Sequence, residues 1–400
     1  MSAVRSVAAL LLAAAAGAAQ PGSRVVLVSV DGLDQRYLSD ADRRLQLRVP
    51  NLRKLLARGE WADGVVGEVP TITWPAHTTL LTGVAPAIHG IRANQQWDYS
   101  LIKVTTIWDR LRDRGMTTAA ITWPVTVHAP ITWNLPEYFE KRRGGAMDLD
   151  SVRKFATPGL ADEIAAAFPS FAQQWMDDRT RALAAVFLIT RKRPDFLAVH
   201  FVDLDAEEHD TGPFSAASNA ILEYTDELIG QILMVLPPGT VFALVSDHGF
   251  VTVDRTVHPA AGKATPFWVS ADQPAEAEAL GKLRSDPGNG IGRLIPSEEW
   301  KRFLPGAPIP AAAYEPADGF LFAPQPLPER YGKPHEIGAH GLWPGRPGYR
   351  SVFVLFGAGV PAQRTPEISM LDIAPRLNEL LTGSRDLPRS RSAETQRPKP

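Results

Sequence analysis

Hydrophobic and polar positions alternate along this chain in long blocks. Largely apolar runs at Val25–Val30, Phe196–Val202, Val241–Val245 and Val352–Phe356 have the length and β-branched content of strands buried on both faces. Helical spacing fills the stretches between them. Pro50-Asn51 opens a helix over Leu52–Arg58 that Gly59 stops, and Thr106–Arg114 is a second, closed by Gly115 and feeding a strand at Thr117–Thr122. Longer helical patterns cover Phe171–Arg191 and Ser215–Val235, and Ser369–Leu381 is the last, closed by Gly383. Strands alternating with helices predict an α/β fold with a mostly parallel central sheet flanked by helices.

Residues 256–334 break the rhythm. A strand-like Pro266–Val269, a helical Ala275–Leu283 and a turn at Pro287-Gly-Asn-Gly lie among proline-rich segments, too long a stretch for one loop. It reads as a small α+β cap inserted into a discontinuous domain formed by residues 24–255 and 335–383. At the N-terminus, Arg5, the apolar Val7–Ala16 and Gly17-Ala18-Ala19 form an export signal over residues 1–19, too short and alanine-rich for a membrane span. The polar, Arg/Ser/Pro-rich residues 384–400 read as a disordered tail. The expected location is therefore periplasmic or secreted.

Composition narrows the chemistry. A formal net charge of −2 over 400 residues argues against a nucleic-acid scaffold as partner. The absence of cysteine removes disulfides, thiolate catalysis and Cys-based metal sites, so any metal must be held by Asp, Glu, His and hydroxyls.

Such residues stand where the apolar runs end. Asp31 follows the first run, Asp205 and His209 follow the second at one-turn spacing, and Asp247-His248-Gly249 follows the third; His340 precedes the fourth. Taken singly each has a plain structural use: Asp31 as a helix cap, Asp205 and His209 in a solvated acidic loop, His248 as a core histidine. Thr73 sits just before a short helical stretch, Ala76–Leu81, where it is either an N-cap or a hydroxyl presented to a phosphate at a helix N-terminus. Together, hard ligands in two clusters, a hydroxyl and a helix N-terminus suit phosphoryl transfer at a two-metal site.

In this order the residues resemble the alkaline phosphatase superfamily, and within it the nucleotide pyrophosphatase/phosphodiesterase branch. The matching pieces are Val30-Asp31-Gly32, Thr73-Trp-Pro-Ala-His77, Leu81-Thr-Gly83, His89-Gly-Ile91, Asp205-x-x-x-His209-x-x-Gly212-Pro213, Ser246-Asp-His-Gly249 and Ala339-His-Gly341, with superfamily-like Leu371-Asp-Ile-Ala-Pro375 near the end. The resemblance covers about residues 24–383. It implies an alkaline-phosphatase-like fold and two zinc ions, one held by Asp31, Asp247, His248 and the Thr73 oxygen, the other by Asp205, His209 and His340. It further implies Thr73 as nucleophile through a phosphothreonine intermediate with overall retention at phosphorus, and Asn94 as an amide donor to a phosphate oxygen. This chain departs from the pattern at Trp74, where the branch usually has Phe, and at Ala76, where it has Asn.

The substrate class expected is a small-molecule phosphodiester or nucleotide. Trp74, Trp97, Trp123 and Tyr138 suit an apolar group on a diester, with Trp74 and Trp123 as substrate contacts. Phosphomonoesterase activity is the alternative, for which Arg153, Lys154 or Lys333 could supply the extra cation; an inactive exported zinc-binding protein is the other.

Overall fold

The computed structural model describes residues 22–171 and 174–387. The export signal expected over 1–19, and the expected tail from residue 388 onward, lie outside the described residues. The first residues of that tail, 384–387, dock on the domain: the Asn378 side chain donates to the carbonyls of Ser384 and Asp386.

The apolar runs become the middle of one eight-stranded sheet. Its strands are β1 (Val25–Val30), β2 (Glu60–Ala62), β3 (Thr118–Ile121), β4 (Trp133–Leu135), β5 (Phe196–Phe201), β6 (Val241–Val245), β7 (Phe353–Gly357) and β8 (Gln363–Thr365), in the spatial order β8-β2-β7-β6-β1-β5-β3-β4. All pairings are parallel except the two made by β7, which runs against β6 and β2. Every residue of β1, β5 and β6 is buried, which is why these strands read as largely apolar runs. The two-residue period still operates. Val26, Val28 and Val30 enter one core, with Leu228 and Ile232; Val25 and Leu27 enter the other, with Leu80 and Leu377. The mostly parallel α/β sandwich expected from the sequence is what the chain forms.

Two local readings change. The helix expected from Phe171 begins at Asp178, because the Asp177 side chain caps it by accepting from the Thr180 amide, while Trp175–Met176 pairs with Ala146–Asp148 as a small strand. The strand expected at Pro266–Val269 lies instead at Val269–Ala271, because Thr265 ties residues 265–268 into a turn, its hydroxyl accepting from the amides of Phe267 and Trp268.

Between β6 and β7 the chain builds two further four-stranded sheets. One contains Val251–Val257 with Gly319–Phe322, Tyr331–Gly332 and Gly338–Ala339; the other contains Lys263–Ala264, Val269–Ala271, Ile291–Leu294 and Ala312–Pro316. The second has its own core around Val269, Leu280, Ile291 and Tyr314. Another cluster, of Ile295, Trp300, Phe303 and Trp343, takes in Val69, two residues before Thr71.

Candidate metal centre

The C-terminal ends of β1, β5 and β6 meet at one edge of the sheet, where parallel α/β folds place their sites. Asp31 directly follows β1, and its amide bonds to Phe201 O on β5 at 2.9 Å. Gly32 then turns the chain with φ +73°, and its N–H donates to Asp247 Oδ1 at 3.2 Å, aiming that carboxylate. Asp247 and His248 follow β6 after Ser246. Gly249 supplies room there: a Cβ would stand 2.5 Å from Asp34 Oδ2 and 3.0 Å from Arg350 O.

Asp205 and His209 lie one turn apart on helix α2 (Asp203–Thr211), which starts two residues beyond β5. His209 Nε2 is 3.5 Å from Asp205 Oδ1, and its Nδ1 faces Gly338 O at 3.1 Å and Glu336 Oε2 at 2.8 Å, which fixes the ring. His340 Nε2 reaches the same Asp205 oxygen at 3.6 Å, with Nδ1 3.3 Å from Thr71 O. Its ring stacks on His248, centroids 3.7 Å apart.

The structure thus brings all six predicted acid and histidine ligands to one place. By distance they form two groups, Asp31–Asp247–His248 and Asp205–His248–His340, each with its ligand atoms within 4.8 Å of one another. His248 belongs to both; His209 joins the second through Asp205.

The atoms facing this space lack hydrogen-bond partners among the described residues. Asp31 Oδ1, Asp205 Oδ1, Asp247 Oδ2 and both His248 nitrogens are buried and unsatisfied. His248 Nε2 lies 3.3 Å from Asp31 Oδ1 and 3.1 Å from Asp247 Oδ2, close in distance but not in hydrogen-bond geometry. Unsatisfied buried polar atoms are costly, and several converging on one space are what cation ligands require. The nitrogen and oxygen donor set, without thiolate, suits zinc.

Electrostatics agree. Burial drives the Asp31 carboxyl well above the usual range, and Asp205 and Asp247 push it the same way against His200. Burial also opposes ionisation of Asp205 and Asp247, yet the imidazoles of His209 and His248 hold both below the usual carboxylate range. In return, and against burial, His209 is raised to about 11 by Asp205 and Glu336, and His248 to about 9 by Asp247 and Asp31. Protons on these two rings offset the charge of the Asp205 and Asp247 carboxylates, and a metal would displace them.

Thr73 opens helix α1 (Thr73–Thr82) as its first helical residue; Ile72 holds the N-cap position, so capping is not the use of Thr73. The hydroxyls of Thr78, Thr79 and Thr82 bond to carbonyls four residues back, whereas that of Thr73 makes no hydrogen bond among the described residues. His77 connects Thr73 to the cluster: Nδ1 is 2.8 Å from Thr73 O and 3.6 Å from Asp247 Oδ2, and Nε2 is 2.9 Å from Ser29 Oγ. Asn94 is exposed beside it, its Oδ1 accepting from the Trp74 amide at 3.0 Å.

The aromatic set divides. Trp74 is 2% exposed and Trp123 is fully buried, so neither offers the open face expected of a substrate contact. Their rings pack edge-on, Trp74 against Trp97 and Trp123 against His77. Trp97 and Tyr138 are half-buried and touch at 5.1 Å, so the accessible aromatic surface lies with them. Of the cations considered for a monoester, Lys154 is paired with Glu140 and Arg153 with Asp162 at 3.0 Å, while Lys333 is exposed.

Sequence reasoning passed over His200 and Glu137. His200 lies within β5, and its Nε2 is 3.0 Å from Asp31 Oδ2 while Nδ1 is 3.2 Å from Glu137 Oε2 and 3.1 Å from Thr122 O. Against burial, Asp31 and Glu137 raise this imidazole to about 10. The only cue was a histidine inside an apolar strand.

Comparison with known proteins bears on the family and the fold. The family described as type I phosphodiesterase / nucleotide pyrophosphatase matches residues 25–279. Bovine ectonucleotide pyrophosphatase/phosphodiesterase family member 3 is 26% identical over 237 residues, 56% of this chain and 24% of that protein. Venom phosphodiesterase 2 of Crotalus adamanteus is 25% identical over 256 residues, 58% of this chain and 28% of that protein. The chain spans about a quarter of the length of these curated relatives. Among solved structures, murine ectonucleotide pyrophosphatase/phosphodiesterase 5, as an inactive threonine-to-alanine variant in complex with AMP, superposes with a TM-score of 0.62 at 17% identity, covering 92% of this chain and 97% of that one. The human protein gives 0.62 at 19% identity, with the same coverage. The expected alkaline-phosphatase-like fold is borne out.

Proposed function

Since the chain belongs to the type I phosphodiesterase / nucleotide pyrophosphatase family, we propose that it hydrolyses phosphodiester or phosphoanhydride bonds at a two-zinc centre, with Thr73 as nucleophile. The observation that carries this reading is the cluster of buried ligand atoms without hydrogen-bond partners among the described residues, to which Thr73, its hydroxyl likewise unbonded among them, is tied by His77 between the Thr73 carbonyl and Asp247. Asp31, Asp247, His248 and the Thr73 oxygen would hold one ion; Asp205, His209 and His340 would hold the other. When bound, the two ions lower the pKa of the threonine hydroxyl and neutralise charge on the phosphoryl group.

The chain's own residues do the rest. Thr73 Oγ attacks phosphorus in line, the bond to the leaving oxygen breaks, and a phosphothreonine forms; water then hydrolyses it, and two inversions give retention. His77 steadies the Thr73 backbone against Asp247. The Trp74 amide is taken by Asn94 and Pro75 has none, so the first turn of α1 contributes few donors of its own. That arrangement occupies Asn94 Oδ1 and leaves Nδ2 as the side-chain donor to a phosphate oxygen.

A nucleotide ester is the substrate class we favour. A superposable structure holds AMP, and Trp97 and Tyr138 provide aromatic surface beyond Trp74. We also propose export, in keeping with the ecto- and venom enzymes among its relatives, and a cap role for residues 256–334, which join the catalytic loop through Val69. Among the described residues no helix is long and apolar enough to cross a membrane.

The test is hydrolysis of bis-p-nitrophenyl phosphate and p-nitrophenyl phosphate, with chelator and with zinc restored. The expected result is diester cleavage that chelation removes and zinc restores, and Thr73→Ala should abolish turnover while zinc content stays near wild type. Preference for the monoester would favour the phosphomonoesterase reading. Protein that holds two zinc ions and cleaves neither substrate would refute the enzyme reading altogether.

A further inference from the structure

β5 carries a histidine on a face that is otherwise apolar. In register, His200 pairs with Ser29 and Phe201 with Val30, so His200 points into the layer that also receives Phe196 and Ala198. It is fully buried, and Glu137 is 3% exposed. Both ring nitrogens face acceptors: Nε2 faces Asp31 Oδ2, and Nδ1 faces Glu137 Oε2 and Thr122 O. A carbonyl only accepts, so Nδ1 carries a hydrogen, and Nε2 is the atom that engages Asp31.

The consequence falls on Asp31. Its Oδ2 is pinned by His200, while its Oδ1 lies 3.3 Å from His248 Nε2 and has no hydrogen-bond partner among the described residues. A carboxylate fixed through one oxygen presents the other in a set direction, as one ligand atom. If the contact served only to satisfy a buried acid, the second oxygen would be satisfied too. Glu137 in turn orients the ring, the arrangement by which an outer carboxylate steers a histidine at metal sites, here applied one step further out.

We propose that His200 and Glu137 form a buried clamp that positions Asp31 for the cation at the Asp31–Asp247–His248 group, and so sets the affinity of that one ion. His200 is a positioning residue: it acts through Asp31 and is not a ligand. The inference rests on the two-metal reading above.

The test is zinc affinity and stoichiometry, measured by titrating the full chain against a competing chelator. His200→Asn retains an amide near the Nδ1 position and loses the contact to Asp31; His200→Gln reaches the Nε2 position and retains it. The expected result is that H200N releases one of two ions at about 10- to 100-fold lower chelator strength, while H200Q stays closer to wild type. Glu137→Gln should weaken the same ion by about tenfold, the lower end of that range, and it keeps the question answerable if H200N does not fold. Wild-type affinity for both ions in H200N, or in E137Q where H200N does not fold, would overturn the clamp and leave the two-metal reading standing. Equal weakening of both ions, or identical behaviour of H200N and H200Q, would overturn it as well. A wild-type chain that does not bind two zinc ions would overturn the two-metal reading itself.

Discussion

Gly338→Ala should damage the centre from outside it. Gly338 has no left-handed backbone, so alanine meets no conformational objection there; the obstacle is space. A Cβ at 338 would stand 2.1 Å from the Glu208 carbonyl oxygen, 2.9 Å from the carbonyl carbon and 3.1 Å from Phe250 Cε1. Real Cβ contacts essentially never fall below 3.0 Å, and the obstructing atom is helix backbone, so Gly338–Ala339 and α2 must part by about 1 Å. These two segments carry His340 and His209, which meet on Asp205 Oδ1 at 3.6 and 3.5 Å, and Gly338 O is itself the partner of His209 Nδ1. Overpacking of this kind costs about 1–3 kcal/mol, and a displacement near 1 Å costs about 100-fold in rate. Urea denaturation, kcat/KM on bis-p-nitrophenyl phosphate and zinc content are the measurements, with loss first of the ion assigned to Asp205, His209 and His340. Gly281→Ala is the contrast. That glycine is inside the helix Pro274–Leu283 with only Tyr314 Oη near, at 3.6 Å, so alanine should stabilise by up to about 1 kcal/mol and leave activity alone. A Gly338→Ala protein with wild-type urea midpoint and kcat/KM would refute the steric reasoning.

Asn94→Ala is expected to lower kcat/KM by about 100-fold with zinc content unchanged; Asn94→Asp keeps an acceptor for the Trp74 amide, so wild-type turnover in it would rule out the donor role. Trp97→Ala should raise KM for a nucleotide diester while kcat stays within about twofold, because a group remote from phosphorus gives uniform binding; an unchanged KM sinks the aromatic-surface assignment. Glu68 is buried, and burial raises its carboxyl from 4.5 to about 7, with Arg302 opposing. The folded state therefore holds a proton that the unfolded chain releases, and this contribution is complete below pH 4.5 and lost as pH rises to about 7. Glu68→Gln should match wild type in urea midpoint near pH 4.5 and exceed it at pH 8, by up to about 3 kcal/mol; an equal difference at both pH values would contradict this.

Much of the sheet was legible because strands buried on both faces tolerate almost nothing polar, so β1, β5 and β6 stand out as apolar runs and the ligands stand out within the short polar stretches that follow them. The strands between β6 and β7 were less legible. Most are two to five residues long, too short to show a period, and Thr265 moved one of them by folding its own backbone into a turn. The helix start at Asp178 was settled by one side-chain cap that competes with an equally apolar upstream stretch. The burial of Trp74 and Trp123 depends on how helix α1 seats against the sheet, and no local pattern encodes that. His200 was hidden for another reason: within one strand it is an anomaly, and its meaning appears only when β1 is laid beside β5.

That last point ties the centre to the core. On the face of the sheet under α1, the inward residues run Val25, Leu27, Ser29 on β1 and Phe196, Ala198, His200 on β5, apolar at one end and polar at the other. The polar end is bonded without a break from Ser29 through His77 to Thr73, and from Asp31 through His200 to Glu137, with the two imidazoles 4.2 Å apart. Because side chains alternate, a slip of one residue between β1 and β5 would turn His200 to the opposite face and part it from Asp31. What forbids the slip is the opposite core, where Val26, Val28 and Val30 face Leu197, Val199 and Phe201. The aim of Asp31 is therefore set by apolar residues on the far side of the sheet, and the apolar runs specify the site by fixing register as much as by ending in ligands.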